Sequence, residues 1–171
     1  AIDLAENYPT LDTSLEAGEL VALAPKFQEV CTEVDENGEV RCTETDLSSV
    51  PLVEKADVTN SPTVLGIIST EPGVLLGGFG SSELAEFEKV PVALSGRVPV
   101  KVTDEAGVIS PGDYVMLSDT MPGYAMKANK PGMAVGVALE SFSPVDIKNE
   151  VSEGTDDSME TTVGVLEDNG F

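Results

Sequence analysis

A unit of short strands and turns that occurs twice in the chain limits what it can fold into more than any other feature. Leu15-Glu-Ala-Gly-Glu-Leu-Val-Ala-Leu23 lays onto Ile109-Ser-Pro-Gly-Asp-Tyr-Val-Met-Leu117, matching Gly18 to Gly112 and Glu19 to Asp113. Leu52-Val-Glu-Lys-Ala-Asp57 lays onto Tyr124-Ala-Met-Lys-Ala-Asn129, and Val64-Leu-Gly-Ile-Ile68 onto Ala134-Val-Gly-Val-Ala138, in the same order. A Gly followed by an acid, a strand, a second strand carrying Lys-Ala and a Gly-centred third strand thus recur together. A repeated β-unit of this kind predicts two halves that close one sheet system, which leaves few bare edges.

The stretch from Val90 to Phe142 supports a β reading by its own pattern. Short Val-rich runs are broken by Gly, Pro, Asp and Ser every eight to twelve residues or so, the spacing of strands joined by tight turns. Trp and His are absent and aromatics are few. The core must then be Val, Leu, Ile, Ala and Met, small side chains that suit thin sandwiches and narrow barrels. The predicted fold is all-β, an internally duplicated barrel or sandwich with an inserted disulfide hairpin. Its parts are a leader at 1–14, a first repeat at 15–70 carrying an insertion at 25–50, connecting loop and strands at 71–102, a second repeat at 103–142, and an acidic loop with a closing strand at 143–171. The insertion is read from the offset between copies, which falls from 94 at Leu23 and Leu117 to 72 at Leu52 and Tyr124, a difference of 22 residues. Ser81 to Lys89 offers the one plausible helical turn, through a Ser cap followed by acids.

That insertion holds both cysteines. Cys31 and Cys42 flank Val34-Asp-Glu-Asn-Gly-Glu39, a hairpin signal with Asn37-Gly38 at its turn. A four-residue loop, Asp35 to Gly38 with Gly38 left-handed, sets Val34 against Glu39 and Cys31 directly opposite Cys42. A two-residue loop offsets the cysteines by two instead. Opposed Cβ atoms lie about 4.5 to 5.5 Å apart, near enough for a disulfide after a modest adjustment. A disulfide implies an oxidising, extracytoplasmic setting. Two reduced thiols are the alternative, and two Cys without His make a poor zinc site.

Acidic residues number 31 against 9 basic, for a net charge of -22. Nucleic acid is an improbable partner, because phosphate contacts need Lys and Arg clusters. No apolar run approaches the roughly 20 residues of a membrane span. The opening Ala1-Ile-Asp-Leu-Ala-Glu has no basic flank and no apolar core, and reads as a processed or cut end rather than a secretion signal.

Catalytic constellations are scarce, and no catalytic residue is assigned. Without His there is no Ser-His or Cys-His pair. Gly77 to Gly80 lacks the Lys of a phosphate loop and reads as a turn. Ser95 with Lys101 makes a weak Ser-Lys dyad, since a strand Lys is usually solvated. The acid pairs Asp3 with Glu6 and Glu16 with Glu19 are expected to be ionised surface groups. Gly18, Gly38 and Gly112 are read as structural turns. Weak metal candidates are Asp35, Asn37, Asp156 and Asp157, with Asp104-Glu105 and Glu167-Asp168-Asn169 beside them. All are hard oxygen ligands that would suit Ca²⁺, and no other cofactor is expected. The shortage of aromatics argues against a carbohydrate-binding module.

Several stretches carry a resemblance: Asp3-Leu-Ala-Glu-Asn-Tyr-Pro9, Leu15-Glu-Ala-Gly18, Val64-Leu-Gly-Ile-Ile-Ser69, Pro72-Gly-Val-Leu-Leu-Gly77, Val92-Ala-Leu-Ser-Gly-Arg-Val-Pro-Val100, Pro111-Gly-Asp-Tyr114 and Ala125-Met-Lys-Ala128. Together they resemble the C-terminal β-domains of bacterial surface and phage tail-fibre-like proteins, which are similar to the self-cleaving intramolecular chaperone domain of phage tail appendages. The resemblance implies an extracellular or cell-surface fibre subunit that assembles as a homo-oligomer or polymer through β-sheet contacts. It also raises an alternative, an autoproteolytic chaperone domain cleaved upstream of Asp3 to Glu6. The acidic segment after Phe142 departs from the pattern.

Overall fold

A computed structural model of the chain describes residues 2–25, 27–46, 51–77, 87–143 and 160–165. Strand is the dominant element, and the only helical feature among these residues is a 3-10 turn at Ser61–Thr63. Twelve strands form in order: β1 (Ile2–Thr10), β2 (Leu20–Leu23), β3 (Phe27–Val34), β4 (Val40–Asp46), β5 (Val53–Lys55), β6 (Val64–Ile68), β7 (Val74–Leu76), β8 (Glu88–Lys101), β9 (Tyr114–Leu117), β10 (Ala125–Lys127), β11 (Ala134–Ala138) and β12 (Glu160–Val165). Ten of them make one sheet, and β3 with β4 makes a separate two-stranded one.

Five strands close on themselves as a barrel. β1 pairs with β8, β8 with β6, β6 with β2, β2 with β5, and β5 returns to β1 through Thr10 and Val53. A second ring repeats this order with the far half of β8, then β12, β11, β9 and β10, and the Val102 to Ala125 bridge returns it to its start. β8 is therefore shared, its first half facing β1 and β6 and its second half facing β12.

The two rings agree residue by residue. Val21 opposes Lys55 and Leu23 opposes Val53 in the first; Val115 opposes Lys127 and Leu117 opposes Ala125 in the second. The strand pairs β2–β6 and β9–β11 each skip one residue, Leu65 and Val135 at matching positions. The Gly18 N–H donates to Ile68 O at 2.9 Å, and the Gly112 N–H donates to Ala138 O at 2.8 Å. Since shifting a strand by one residue turns every side chain over, a shared register means a shared inward face.

That face is built from β-branched residues that fit a narrow pleated interior. Val21, Val53, Ile68 and Val92 cluster in the first ring, with Tyr8, Leu15, Leu65 and Val90 packed against them. Val98, Val100, Ile109, Val115, Val135 and Val163 fill the second. Full burial of each Val contributes about 1.5 to 3 kcal/mol. The outward face of the first ring, Leu20, Ala22, Ala56, Ile67 and Ala93, joins the second ring's cluster. That shared cluster holds the two rings together, while the interior of the first ring is a cluster of its own.

Several expectations need correction. Residues 2–10 are not a leader: β1 is a barrel stave, with Asp3, Ala5, Pro9 and Thr10 buried. Tyr8-Pro9 disfavours helix but leaves an extended strand open, and the hydrogen-bonded partner lies some 85 residues away, out of reach of local pattern. Within the stretch 71–102, read as connecting loop and strands, one strand, β8, runs for 14 residues through Ser95-Gly96-Arg97. Gly96 does not break it because its φ of 117° is absorbed where β1 crosses. In the hairpin, Val34 faces Val40 rather than Glu39, and a bulge between Cys31 and Glu33 restores Cys31 opposite Cys42. The Cys31 side chain lies outside the described residues, as does most of the expected helical turn at 81–89, whose last residues Glu88 and Lys89 open β8.

Candidate functional site

Each ring begins its first internal strand with the same turn. Gly18 and Gly112 have φ of 81° and 90°, a region where an L side chain is strained. The acid that follows folds back onto the turn: Glu19 accepts the Glu16 N–H at 3.0 Å, and Asp113 accepts the Ser110 N–H at 2.8 Å. Each acid also takes the ammonium of the Lys-Ala strand, Lys55 on Glu19 at 3.1 Å and Lys127 on Asp113 at 2.9 Å. Glu16 and Glu19, expected on the surface together, part company: Glu19 is buried and Glu16 is exposed.

The first ring receives an additional cation. Lys101, at the end of β8, is buried, reaches Glu19 at 3.5 Å and forms an ion pair with Glu16, with its ammonium 5.8 Å from the centre of the Tyr124 ring. Burial pulls the Lys101 pKa down, but the Glu16 hydrogen bond and the charges of Glu19 and Glu16 outweigh it and raise it above the ordinary lysine value. The Lys127 ammonium lowers the Asp113 carboxyl in turn. The second ring also lends backbone to the first: Lys101 N–H to Gly18 O at 2.9 Å, Leu20 N–H to Gly123 O at 2.8 Å and Gly123 N–H to Ala56 O at 2.8 Å. The first ring's mouth is thereby capped.

At the same place on the second ring the surface is open. Gly112, Asp113, Tyr114, Lys127 and Ala128, the counterparts of Gly18, Glu19, Leu20, Lys55 and Ala56, line a cleft of about 460 Å³ with Lys130 and Pro131. Leu20 is fully buried, whereas Tyr114 is 44% exposed. A second apolar surface lies at the sheet's rim, where β7 is the terminal strand and Val74, Leu75 and Leu76 are all exposed. β7 pairs in parallel with β1, and no strand among the described residues pairs with its outer side.

The other candidate residues are not gathered into a reactive centre. Ser95 and Lys101 sit six residues apart on one strand, about 20 Å at strand rise, and the Lys101 ammonium is held by glutamates. Asp3 is buried in β1 with neither carboxylate oxygen hydrogen-bonded, while Glu6 accepts from the Tyr8 hydroxyl at 3.2 Å. Asp104 stands exposed at a bend, and Glu105 beside it accepts from the Ser118 and Thr103 hydroxyls. Asp35 closes the hairpin turn, its Oδ1 accepting the N–H groups of Asn37 at 2.9 Å and Glu39 at 3.0 Å, and Gly38 follows with φ of 82°. Asp156, Asp157 and residues 167–169 lie outside the described residues. Among the described residues no group of three acids or cysteines is placed to hold a metal ion. No helix among them is long and apolar enough to cross a membrane.

Sequence reasoning found the Gly-acid turns and the paired lysines but missed the Lys101 cap, the cleft and the open rim of β7. A signal for the cap existed in the mismatch of the copies, Glu16 against Ser110, which placed a second acid at only one mouth. The chain matches no family model, and no curated protein is similar enough to it to stand as a relative.

Proposed function

We propose that this chain is a structural subunit or terminal domain of an extracellular fibre or appendage, whose copies join through β-sheet contacts. The observation that carries this reading is the rim strand β7, whose three consecutive apolar residues are all exposed. A bare apolar edge is a template for another strand unless charge, proline, a bulge or short length blunts it; Val74 to Leu76 carry none of the first three, on a strand of three residues. The charge of -22 opposes assembly at low salt, so association should strengthen as salt screens it. Sedimentation over a wide concentration range, with and without salt and Ca²⁺, tests the reading. Association that Leu75→Lys weakens is the expected result, and a strictly monomeric chain under all of these conditions would overturn it.

The extracellular setting draws on the hairpin. β3 and β4 share no sheet with the barrel, and Phe27, Val34 and Val40 on them are exposed. A lone two-stranded hairpin is marginal in water, so a covalent link across it has a stabilising task. The register sets Cys31 opposite Cys42. A Cys31–Cys42 disulfide is part of the proposal. Cysteines that resist alkylation until reduced would support it, and two freely alkylated thiols in protein secreted to an oxidising compartment would remove it. The self-cleavage alternative gains no observation in its favour, since Asp3 and Glu6 are stave residues of β1.

A further inference from the structure

Because the two rings are the same unit in tandem, the contact between them within one chain indicates what the second ring would accept from outside. The outward face of the first ring is covered by the second; the equivalent face of the second, around Tyr114, Asp113, Lys127 and Ala128, is the open cleft. We infer that this cleft is the docking surface for the first ring of a second copy of the chain, in a head-to-tail contact that repeats the one inside the molecule. The inference rests on the self-assembling reading above and names a surface distinct from β7.

The occupant follows from the same residue matching. Thr103 and Gly123, on the rim that the second ring turns toward the first, are buried. Their counterparts are Leu11 and Pro51, both exposed. Lys101 corresponds to Pro9, because Thr10 opposite Val53 and Val102 opposite Ala125 fix the alignment of the two rings.

Side chains on both sides of the would-be contact have changed, and the backbone hydrogen bonds that Lys101 and Gly123 donate have no counterpart in it. On the rim, Lys101 and Gly123 give way to Pro9 and Pro51, which have no N–H to donate, and Thr103 gives way to Leu11. On the cleft, Glu16, the acid that pairs with Lys101, becomes Ser110, and Leu20 becomes the larger Tyr114. Cation and acid are lost as a pair, so neither surface would bury an unmatched charge. What remains is an apolar contact of Leu11 and Pro51 on the Tyr114 ring, a residue type enriched at interface centres. A contact of this kind uses different patches on its two sides, so it closes a ring or extends a filament rather than stopping at a symmetric pair.

The test uses the whole chain with Leu75→Lys present throughout, which removes pairing at β7. In that background Tyr114→Glu blocks the cleft and Leu11→Glu blocks the rim, both at exposed positions, with circular dichroism confirming the fold of each. Each variant alone should associate at least about tenfold more weakly, the scale of one anchor side chain. An equimolar mixture should form a dimer and nothing larger, since one good cleft and one good rim survive between them. If wild type associates but the Leu75→Lys chain is monomeric, or if the mixture forms no dimer, the head-to-tail contact is wrong while the edge-strand reading stands. If wild type itself never associates, both are wrong.

Discussion

The ammonium of Lys101 lies 3.5 Å from the Glu19 carboxylate, an ion pair in which one repeat supplies the cation and the other the acid. Both side chains are almost wholly shielded, Lys101 at 9% and Glu19 at 4%. Their counterparts, Pro9 and Asp113, do not meet in this way, so the pair marks a place where the repeats became unequal partners. Glu19 is also held by Lys55, which limits how far removal of Lys101 exposes it to an unpaired state.

Lys101→Met keeps the length of the stem and deletes the charge. Glu16 then loses its partner at the surface, and Glu19 keeps Lys55 and the Glu16 N–H. The expected loss is about 1 to 3 kcal/mol of unfolding free energy, below the cost of a fully orphaned buried charge. Urea denaturation of the variant beside wild type measures it. A change within about 0.5 kcal/mol, the range of ordinary surface substitutions, would mean that the pair does not fasten the two rings.

Stability should be flat through neutral pH and fall at both ends. Asp113 is lowered by the Lys127 ammonium and the Ser110 N–H, Glu16 by Lys101, and Asp57 by the hydroxyl and N–H of Thr59. For Glu105 and Asp12 burial works the other way, but hydrogen bonds from Ser118, Thr120 and Thr103, and from Ser14 and Lys55, prevail and lower both. Groups with a depressed folded pKa stabilise fully above the unfolded value near 4 and lose that contribution as pH falls through the folded one. Lys101 is raised, so its contribution is complete below the unfolded value near 10.4 and drains as pH rises through the folded one. Urea midpoints between pH 3 and pH 11 should therefore drop below about pH 4 and above about pH 10.4. Lys101→Met should flatten the alkaline limb and, because Lys101 is what lowers Glu16, also remove the Glu16 share of the acid limb; a stability maximum in acid would contradict both.

Gly96 and Gly112 both have positive φ, yet the cost of adding a methyl group should differ sharply. A Cβ on Gly96 would meet Ile2 O at 2.5 Å and Asp3 Cα at 2.6 Å, both on the stave β1. On Gly112 it would meet nothing within 4 Å. Gly112→Ala should cost about 1 to 2 kcal/mol, the conformational penalty alone. Gly96→Ala adds a backbone clash and should cost more than about 3 kcal/mol or prevent folding. Thermal melts of the two variants decide it, and equal costs would place β1 wrongly against β8.

Asp3 buries a carboxylate without any hydrogen bond to either oxygen. Asp3→Asn keeps the shape and removes the charge, so the chain should become more stable by about 1 kcal/mol. A loss of stability of that size in urea would show that the carboxylate has a partner in the folded protein.

The sequence by itself determined the repeat, the all-β class and the turns at Gly18 and Gly112, because these are set by local spacing: alternation builds a strand, and only glycine enters one easily at positive φ. For the cysteines it left two turns open; the four-residue loop set Cys31 opposite Cys42, one residue shorter than the real loop, with the bulge before Glu33 making up the difference. Only the tertiary structure decided that Ile2–Thr10 is a barrel stave, that β8 runs unbroken through Gly96, and that Lys101 caps the other repeat's turn. Each of these depends on a partner far along the chain, and the residues themselves carry no mark of which distant strand will cover them. The same is true of the cleft at Tyr114: two aligned copies look equivalent in one dimension, and only the way they stack buries one face and leaves the other open.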